Sequence, residues 1–111
     1  MSELKKAAMN DSSEYISNGV AISPDMPTAG DKVKIMYNGL LVKSGTNDIY
    51  AYIGFGSTWE DDTYVKMNRN SMGFEATVPI LESNTLNVCF KDCSNNWDNN
   101  SGENYLFTII Q

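Results

Sequence analysis

Short stretches of alternating apolar and polar residues constrain the fold of this chain more than any other feature. Residues 32–37 (KVKIMY) and 72–78 (MGFEATV) both place an apolar side chain at every second position, the latter from Met72 to Val78. A period of two residues is the signature of a half-buried strand. Because no stretch shows the 3.6-residue period of a helix, the sequence predicts an all-β fold.

Clusters of Gly, Pro, Asn and Asp separate these stretches, and each cluster predicts a turn. The predicted strands lie within residues 14–22, 32–37, 48–54, 63–68, 72–78, 86–90 and 105–110. Short strands at this spacing, with no helical crossovers between them, are typical of antiparallel sandwiches and barrels. We predict an immunoglobulin-like antiparallel β-sandwich of about seven or eight strands.

The length of the chain, 111 residues, suits one domain with its own core. Residues 1–13 are polar and lack strand periodicity, so we predict a flexible leader or linker there and a β-sandwich module over residues 14–111. The segment from Met1 to Asn10 lacks the apolar stretch and cleavage site of a signal peptide. We therefore expect either an intracellular protein or a module excised from a longer, secreted one.

The charge balance argues against nucleic acid and membranes as partners. Eight Lys plus Arg stand against fourteen Asp plus Glu, a formal net charge of -6, and no run of basic residues could follow a phosphate backbone. No apolar run approaches the ~20 residues that a membrane span needs.

The two cysteines, Cys89 and Cys93, are four residues apart. In an extended chain that spacing separates their Cα atoms by roughly 13 Å, so a disulfide would require a tight turn between them. We expect a reduced Cys89 on one face of a strand and a reduced Cys93 in a loop. The disulfide of antibody domains is absent, because these cysteines are too close in sequence to join two sheets.

The chain contains no histidine, which removes the commonest general base and excludes triad chemistry. A pair of loop carboxylates could serve a glycosidase, and the candidates are Glu60, Asp61, Asp62, Asp92 and Asp98. Acidic loop residues are usually solvated, however, and a small sandwich offers little cleft to bury a pair. Residues 98–103 weakly resemble a calcium loop but lack its final bidentate Glu, so a tight turn is the stronger interpretation. We expect no catalysis, no metal and no cofactor.

Trp59 and Trp97 lie outside every alternating stretch and are surrounded by polar residues. A buried tryptophan normally belongs to a periodic apolar stretch, so this context predicts exposure, although each indole could instead cover one end of the sandwich. An exposed indole among Asn and Asp suits a sugar, whose apolar C–H face stacks on the ring while its hydroxyls meet the amides and carboxylates. The alternative is a protein-interaction or adhesion sandwich in which the same aromatic residues anchor a partner.

An ordered series of motifs resembles the starch-binding carbohydrate-binding modules of families 25 and 53. The resemblance covers nearly all of residues 14–111. It includes residues 23–31 (SPDMPTAGD), 49–55 (IYAYIGF) followed by Trp59, 65–67, 74–79, 86–92 (LNVCFKD) and 97–105 (WDNNSGENY).

This resemblance implies an immunoglobulin-like sandwich, usually attached to amylases or starch synthases, that binds α-glucan such as starch, glycogen or maltooligosaccharides without catalysis. It implies that Trp59 and Trp97 are the sugar platforms. Family members carry a histidine two residues before the glycine of the third strand, where this chain has Tyr52. The predicted site is therefore Tyr52, Trp59 and Trp97, with Asp98, Asn99 and Asn100 orienting the loop or contacting hydroxyls.

Overall fold

The computed structural model describes residues 15–17 and 19–110, so the leader predicted for residues 1–13 lies outside the described residues. The strands, in chain order, are β1 (Tyr15–Ser17), β2 (Val20–Ser23), β3 (Lys32–Tyr37), β4 (Ile49–Phe55), β5 (Glu60–Lys66), β6 (Asn68–Asn70), β7 (Gly73–Pro79), β8 (Leu86–Asp92), β9 (Trp97–Asp98) and β10 (Tyr105–Phe107). A single helical turn, α1 (Leu40–Lys43), follows β3.

Two antiparallel sheets form the sandwich, which confirms the predicted fold class. The first sheet has the strand order β1-β2-β3-β7-β6, and the second has the order β10-β8-β4-β5. The short strand β9 also pairs with β8, beside its second half. Strands β10 and β9 thus share one edge of β8, while β4 occupies the other.

The core lies between the two inner faces and contains the apolar residues that the alternating pattern predicts. In β3, Val33, Ile35 and Tyr37 are buried, whereas the alternating residues Lys32 and Lys34 are exposed. The ring of Tyr37 stacks on Phe90 of the opposite sheet, with 4.0 Å between ring centroids. Because every second residue of β3 and of β7 packs into this core, the residues between them face outward.

Three local features differ from the sequence prediction. Met72, predicted to face the core, is 78% exposed, because β7 begins one residue later at Gly73, whose φ of 138° few other residues could adopt. Strand β5 begins at Glu60, before the apolar residues that signalled it. The helix α1 was not predicted, because four residues are too few to show a 3.6-residue period. No helix in the described part of the chain is long and apolar enough to cross a membrane.

Both cysteines are free, as predicted. Cys89 is buried on β8, and burial raises the pKa of its thiol to about 11. Cys93 is exposed in the turn that follows β8. A buried thiol whose pKa is raised is a poor nucleophile, so Cys89 contributes to packing.

Candidate functional site

Tyr52 is at the centre of an aromatic cluster on the outer face of the second sheet. Its neighbours on β4, Ala51 and Ile53, are buried in the core, so the Tyr52 side chain projects outward and is half-buried. The strand register places Tyr64 of β5 opposite it on one side and Cys89 of β8 on the other. Directly paired residues of neighbouring strands share a face, which brings the two tyrosines into contact.

Trp59 lies against the backbone of β4. The chain turns after β4 through Gly56, and Trp59 itself adopts a left-handed conformation with φ of 53°. Its indole covers Gly54, since a Cβ built on Gly54 would lie 2.6 Å from Trp59 Cε3. The ring is stacked with Tyr52 at 5.2 Å between centroids and 14° between planes. Trp59 is therefore half-buried, less exposed than the sequence suggested, and its ring forms a stacked pair with that of Tyr52.

Trp97 approaches the same tyrosine from the opposite side. It lies in the two-residue strand β9 and pairs with Lys91 of β8, rather than in an irregular loop. Its ring centroid is 6.3 Å from that of Tyr52, and the two planes meet at 82°. The side chain is 39% exposed, and its Nε1–H donates to Asn95 Oδ1 at 3.3 Å. The structure thus brings Tyr52, Trp59 and Trp97 together.

Tyr64 and Lys91 also belong to the cluster, although neither was predicted from the sequence. Tyr64 is 52% exposed, and its ring centroid lies 4.5 Å from that of Tyr52 and 6.3 Å from that of Trp97. Lys91 Nζ lies 5.5 Å from the Tyr64 ring centroid and 5.6 Å from the Trp97 ring centroid, within the range of cation–π attraction. The alternation around Val65, which faces the core, could have identified Tyr64 as an outward-facing aromatic residue. We call Tyr52, Trp59, Tyr64 and Trp97 the aromatic corner.

The hydroxyl of Tyr52 donates a hydrogen bond to Asp62 Oδ2. This bond to an acceptor carboxylate, with a smaller contribution from desolvation, raises the pKa of Tyr52 to about 12. The hydroxyl is consequently protonated throughout the physiological range. It fixes the ring on the sheet and retains its own oxygen as an acceptor.

Asp98 does not face solvent. Its side chain is 7% exposed, and its carboxylate accepts hydrogen bonds from the Tyr37 hydroxyl at 2.6 Å and the Tyr105 hydroxyl at 2.9 Å. The Tyr37 oxygen in turn accepts a bond from the backbone N–H of Leu41 at 3.0 Å. These bonds connect β9 to β3, β10 and α1. Burial, and then the bond to Asp98, raise the pKa of Tyr37 well above its usual value.

Asn99 and Asn100 build the turn between β9 and β10. Asn99 is exposed, and its Oδ1 accepts a bond from the Gly102 N–H at 3.0 Å. Asn100 is half-buried, and its Nδ2 donates to the Asn104 carbonyl at 3.0 Å. Asn100 and Ser101 both have positive φ, of 55° and 57°. The turn is therefore shaped by its own side-chain bonds, next to Trp97.

Comparison with known families shows to which family the chain belongs. Residues 33–88 match the family described as starch/carbohydrate-binding module (family 53). The chain belongs to this family. The match to the module runs from β3 to β8 and contains Tyr52, Gly54, Trp59 and Tyr64 of the site, while Trp97 and the turn after it lie beyond its end.

Two amylases contain a segment similar to this module. An alpha-amylase of Clostridium acetobutylicum is 37% identical over 79 residues, which cover 69% of this chain and 10% of the amylase. A beta/alpha-amylase of Paenibacillus polymyxa is 36% identical over 81 residues, which cover 70% of this chain and 6% of that protein. The module thus spans a tenth or less of these relatives. No solved structure matches the chain significantly.

Asp62 of β5 borders the aromatic corner through its bond to Tyr52, and a second acidic side chain, Asp61, precedes it in the strand. A hydrogen bond to Asp61, more than desolvation, raises the pKa of Glu82 above its usual value. Neither side chain is enclosed: Asp61 is exposed and Glu82 is half-buried. Within residues 15–17 and 19–110, no three His, Cys, Asp or Glu side chains are grouped as metal ligands would be.

Proposed function

We propose that this module binds α-glucan at the aromatic corner. The observation that carries the proposal is the 82° angle between the planes of Tyr52 and Trp97. Because Trp59 lies within 14° of the Tyr52 plane, its ring also stands steeply to Trp97. Two platforms at such an angle fit a chain of sugars that turns from one unit to the next. An α-1,4-linked glucan turns in this way, whereas a cellulose chain is flat.

In this arrangement, different groups stack on the sugar and hydrogen-bond to it. The aromatic faces take the apolar C–H surfaces of the sugar rings, while Asp62, the Tyr52 oxygen and the Lys91 ammonium group lie around them to bind hydroxyls. The burial of Asp98 supports a role in holding the turn that carries Trp97. Asn99 and Asn100, beside Trp97 in sequence, are proposed to orient that turn and, where Asn99 is exposed, to contact hydroxyls.

Tyr52 occupies the position at which the resemblance to the starch-binding modules implies a histidine. It keeps a flat ring between Trp59 and Tyr64 and adds a hydroxyl bonded to Asp62. A tyrosine whose pKa is about 12 does not titrate near neutral pH, as a histidine would. We therefore propose that glucan binding by this module is insensitive to pH across the neutral range.

The proposed role is binding without catalysis, as an accessory to a starch-active enzyme. The family description names a binding module, and the chain has no histidine to serve as a base. Asp61 is exposed, so its carboxyl group lacks the burial that tunes a catalytic carboxyl pair. The two relatives are called amylases, and the similar segment is a small fraction of each, which suits an appended module.

An open sugar site of this kind should bind with a Kd between micromolar and millimolar, or about 4–8 kcal/mol. Affinity electrophoresis in gels containing soluble starch, glycogen, a cellulose derivative or xylan tests the proposed ligand. We expect retardation by starch and glycogen and none by the other two. Migration unaffected by all four, or retardation by the β-linked polymers alone, would refute α-glucan binding.

A further inference from the structure

A cavity lies beside Trp97, between the segment that includes β9 and the turn after it and the segment that follows β3. It has a volume of about 600 Å³, within the range of small-molecule sites. We call it the Trp97 groove. The strand β9 and the turn after it line one wall, through Trp97, Asn99 and Ser101, while Asn38, Leu40 and Lys43 line the other.

The chemistry of these walls favours a neutral, hydroxylated ligand. Asn38, Asn99 and Ser101 are exposed polar side chains without charge, and Leu40, 63% exposed, supplies an apolar surface. The carboxylate that lines the groove, Asp98, is already bonded to two tyrosine hydroxyls. Lys43 is then the one lining residue that presents a charge to solvent. Such walls offer hydrogen bonds to hydroxyls but no carboxylate to attract a cation.

Trp97 belongs to both sites. It closes the aromatic corner opposite Tyr52 and also lines the groove. The strand that carries Trp97 is held in place, because the adjacent Asp98 accepts hydrogen bonds from Tyr37 and Tyr105. A glucan chain that reaches Trp97 from the corner therefore meets the groove next.

From these contacts we infer that the Trp97 groove is an extension of the glucan site and binds further sugar units of a chain that is already held at the aromatic corner. This inference rests on the proposed function. It assigns Asn38, which follows β3, and Lys43, which ends α1, as residues that determine the preference for longer chains. Short oligosaccharides occupy the corner alone, and longer ones fill both.

Isothermal titration with maltotriose and maltoheptaose tests the inference on the whole chain. The variant combines Asn38→Ala and Lys43→Ala, both at exposed positions. The matched control is Lys34→Ala, which removes an exposed lysine of β3 instead. We expect the double variant to bind maltotriose within about twofold of wild type and maltoheptaose about tenfold more weakly, the effect of losing one or two hydrogen bonds. The control should bind both sugars like wild type.

The outcomes separate the two proposals. If wild type binds both sugars with equal affinity, or if the double variant loses the same factor for both, the groove is not an extension and the corner alone remains the site. If wild type binds neither sugar, the proposed function fails together with the inference. A second measurement follows backbone amide shifts: maltoheptaose should shift Leu40, Lys43 and Ser101 while maltotriose should not, and equal shifts with both sugars would contradict the inference.

Discussion

Gly54 makes room for Trp59, and replacing it with alanine should displace that platform. A Cβ at this position would lie 2.6 Å from Trp59 Cε3, 3.0 Å from Trp59 Cβ and 3.1 Å from Trp59 Cα. Carbon atoms that are not bonded to each other pack at about 3.5–4.0 Å. The indole must therefore move by about an ångström, and the backbone contact prevents a simple rotation of the ring from relieving the clash.

The need for glycine at this position comes from the indole and not from the backbone. Gly54 does not have a positive φ, unlike Gly56 two residues later. Alanine could adopt the backbone conformation, so the cost arises from overpacking, about 1–3 kcal/mol of unfolding free energy. Loss of the stacking surface should remove about 0.5–1.5 kcal/mol of binding free energy, or two- to tenfold in Kd.

Titration with maltoheptaose, together with tryptophan fluorescence and thermal denaturation, would measure these effects. Gly45→Ala is the matched control. Its φ of 79° strains an alanine, at about 1–2 kcal/mol, but nothing lies within 4 Å of the added Cβ. The control should lose stability and keep its affinity and its fluorescence. Gly54→Ala should be less stable, bind maltoheptaose more weakly and show altered tryptophan fluorescence.

A double-mutant cycle with Trp59→Ala isolates the contact, because the indole is then gone. In that background Gly54→Ala should weaken binding no further. The reasoning fails if Gly54→Ala binds like wild type with unchanged fluorescence, or if it weakens binding by the same factor whether or not Trp59 is present.

Two further predictions concern titratable tyrosines. Tyr52→His introduces a group with a pKa of about 6.5, and an imidazolium is a poorer apolar platform than a neutral ring. The affinity of this variant for maltoheptaose should therefore fall severalfold below about pH 7, while wild type should bind equally from pH 6 to 9. A wild-type Kd that changes through pH 6.5 would contradict this prediction. Tyr37→Phe leaves Asp98 without its 2.6 Å donor and should cost about 1–3 kcal/mol in urea denaturation. Because the fold raises the pKa of Tyr37, the unfolded chain loses this proton first, so wild-type stability should fall as pH rises above about 10. Tyr37→Phe should show a shallower fall, and an equal slope in the two proteins would be inconsistent with the assigned bond.

The alternating pattern predicted those parts of the fold that depend on one strand at a time. The strand over residues 32–37 has the predicted limits, and Tyr52 faces outward as its neighbours Ala51 and Ile53 required. These features follow from a local period of two residues and from the burial of one face.

The features that the sequence did not reveal depend on contacts between distant residues. Asp98 is buried because Tyr37, 61 residues earlier, donates to it. Trp59 is half-buried because an unusual turn with positive φ folds its ring back onto Gly54. The role of Lys91 depends on which strands flank β8, and no local pattern encodes that order.

The most direct test of the central claim is the retardation of tryptophan variants in glycogen gels. Trp97→Ala and Trp59→Ala should each be retarded much less than wild type, while their melting temperatures show that the fold persists. Met72→Ala, at a position 78% exposed in the turn before β7, is the control and should be retarded like wild type. Retardation of Trp97→Ala equal to that of wild type would show that the aromatic corner is not the glucan site.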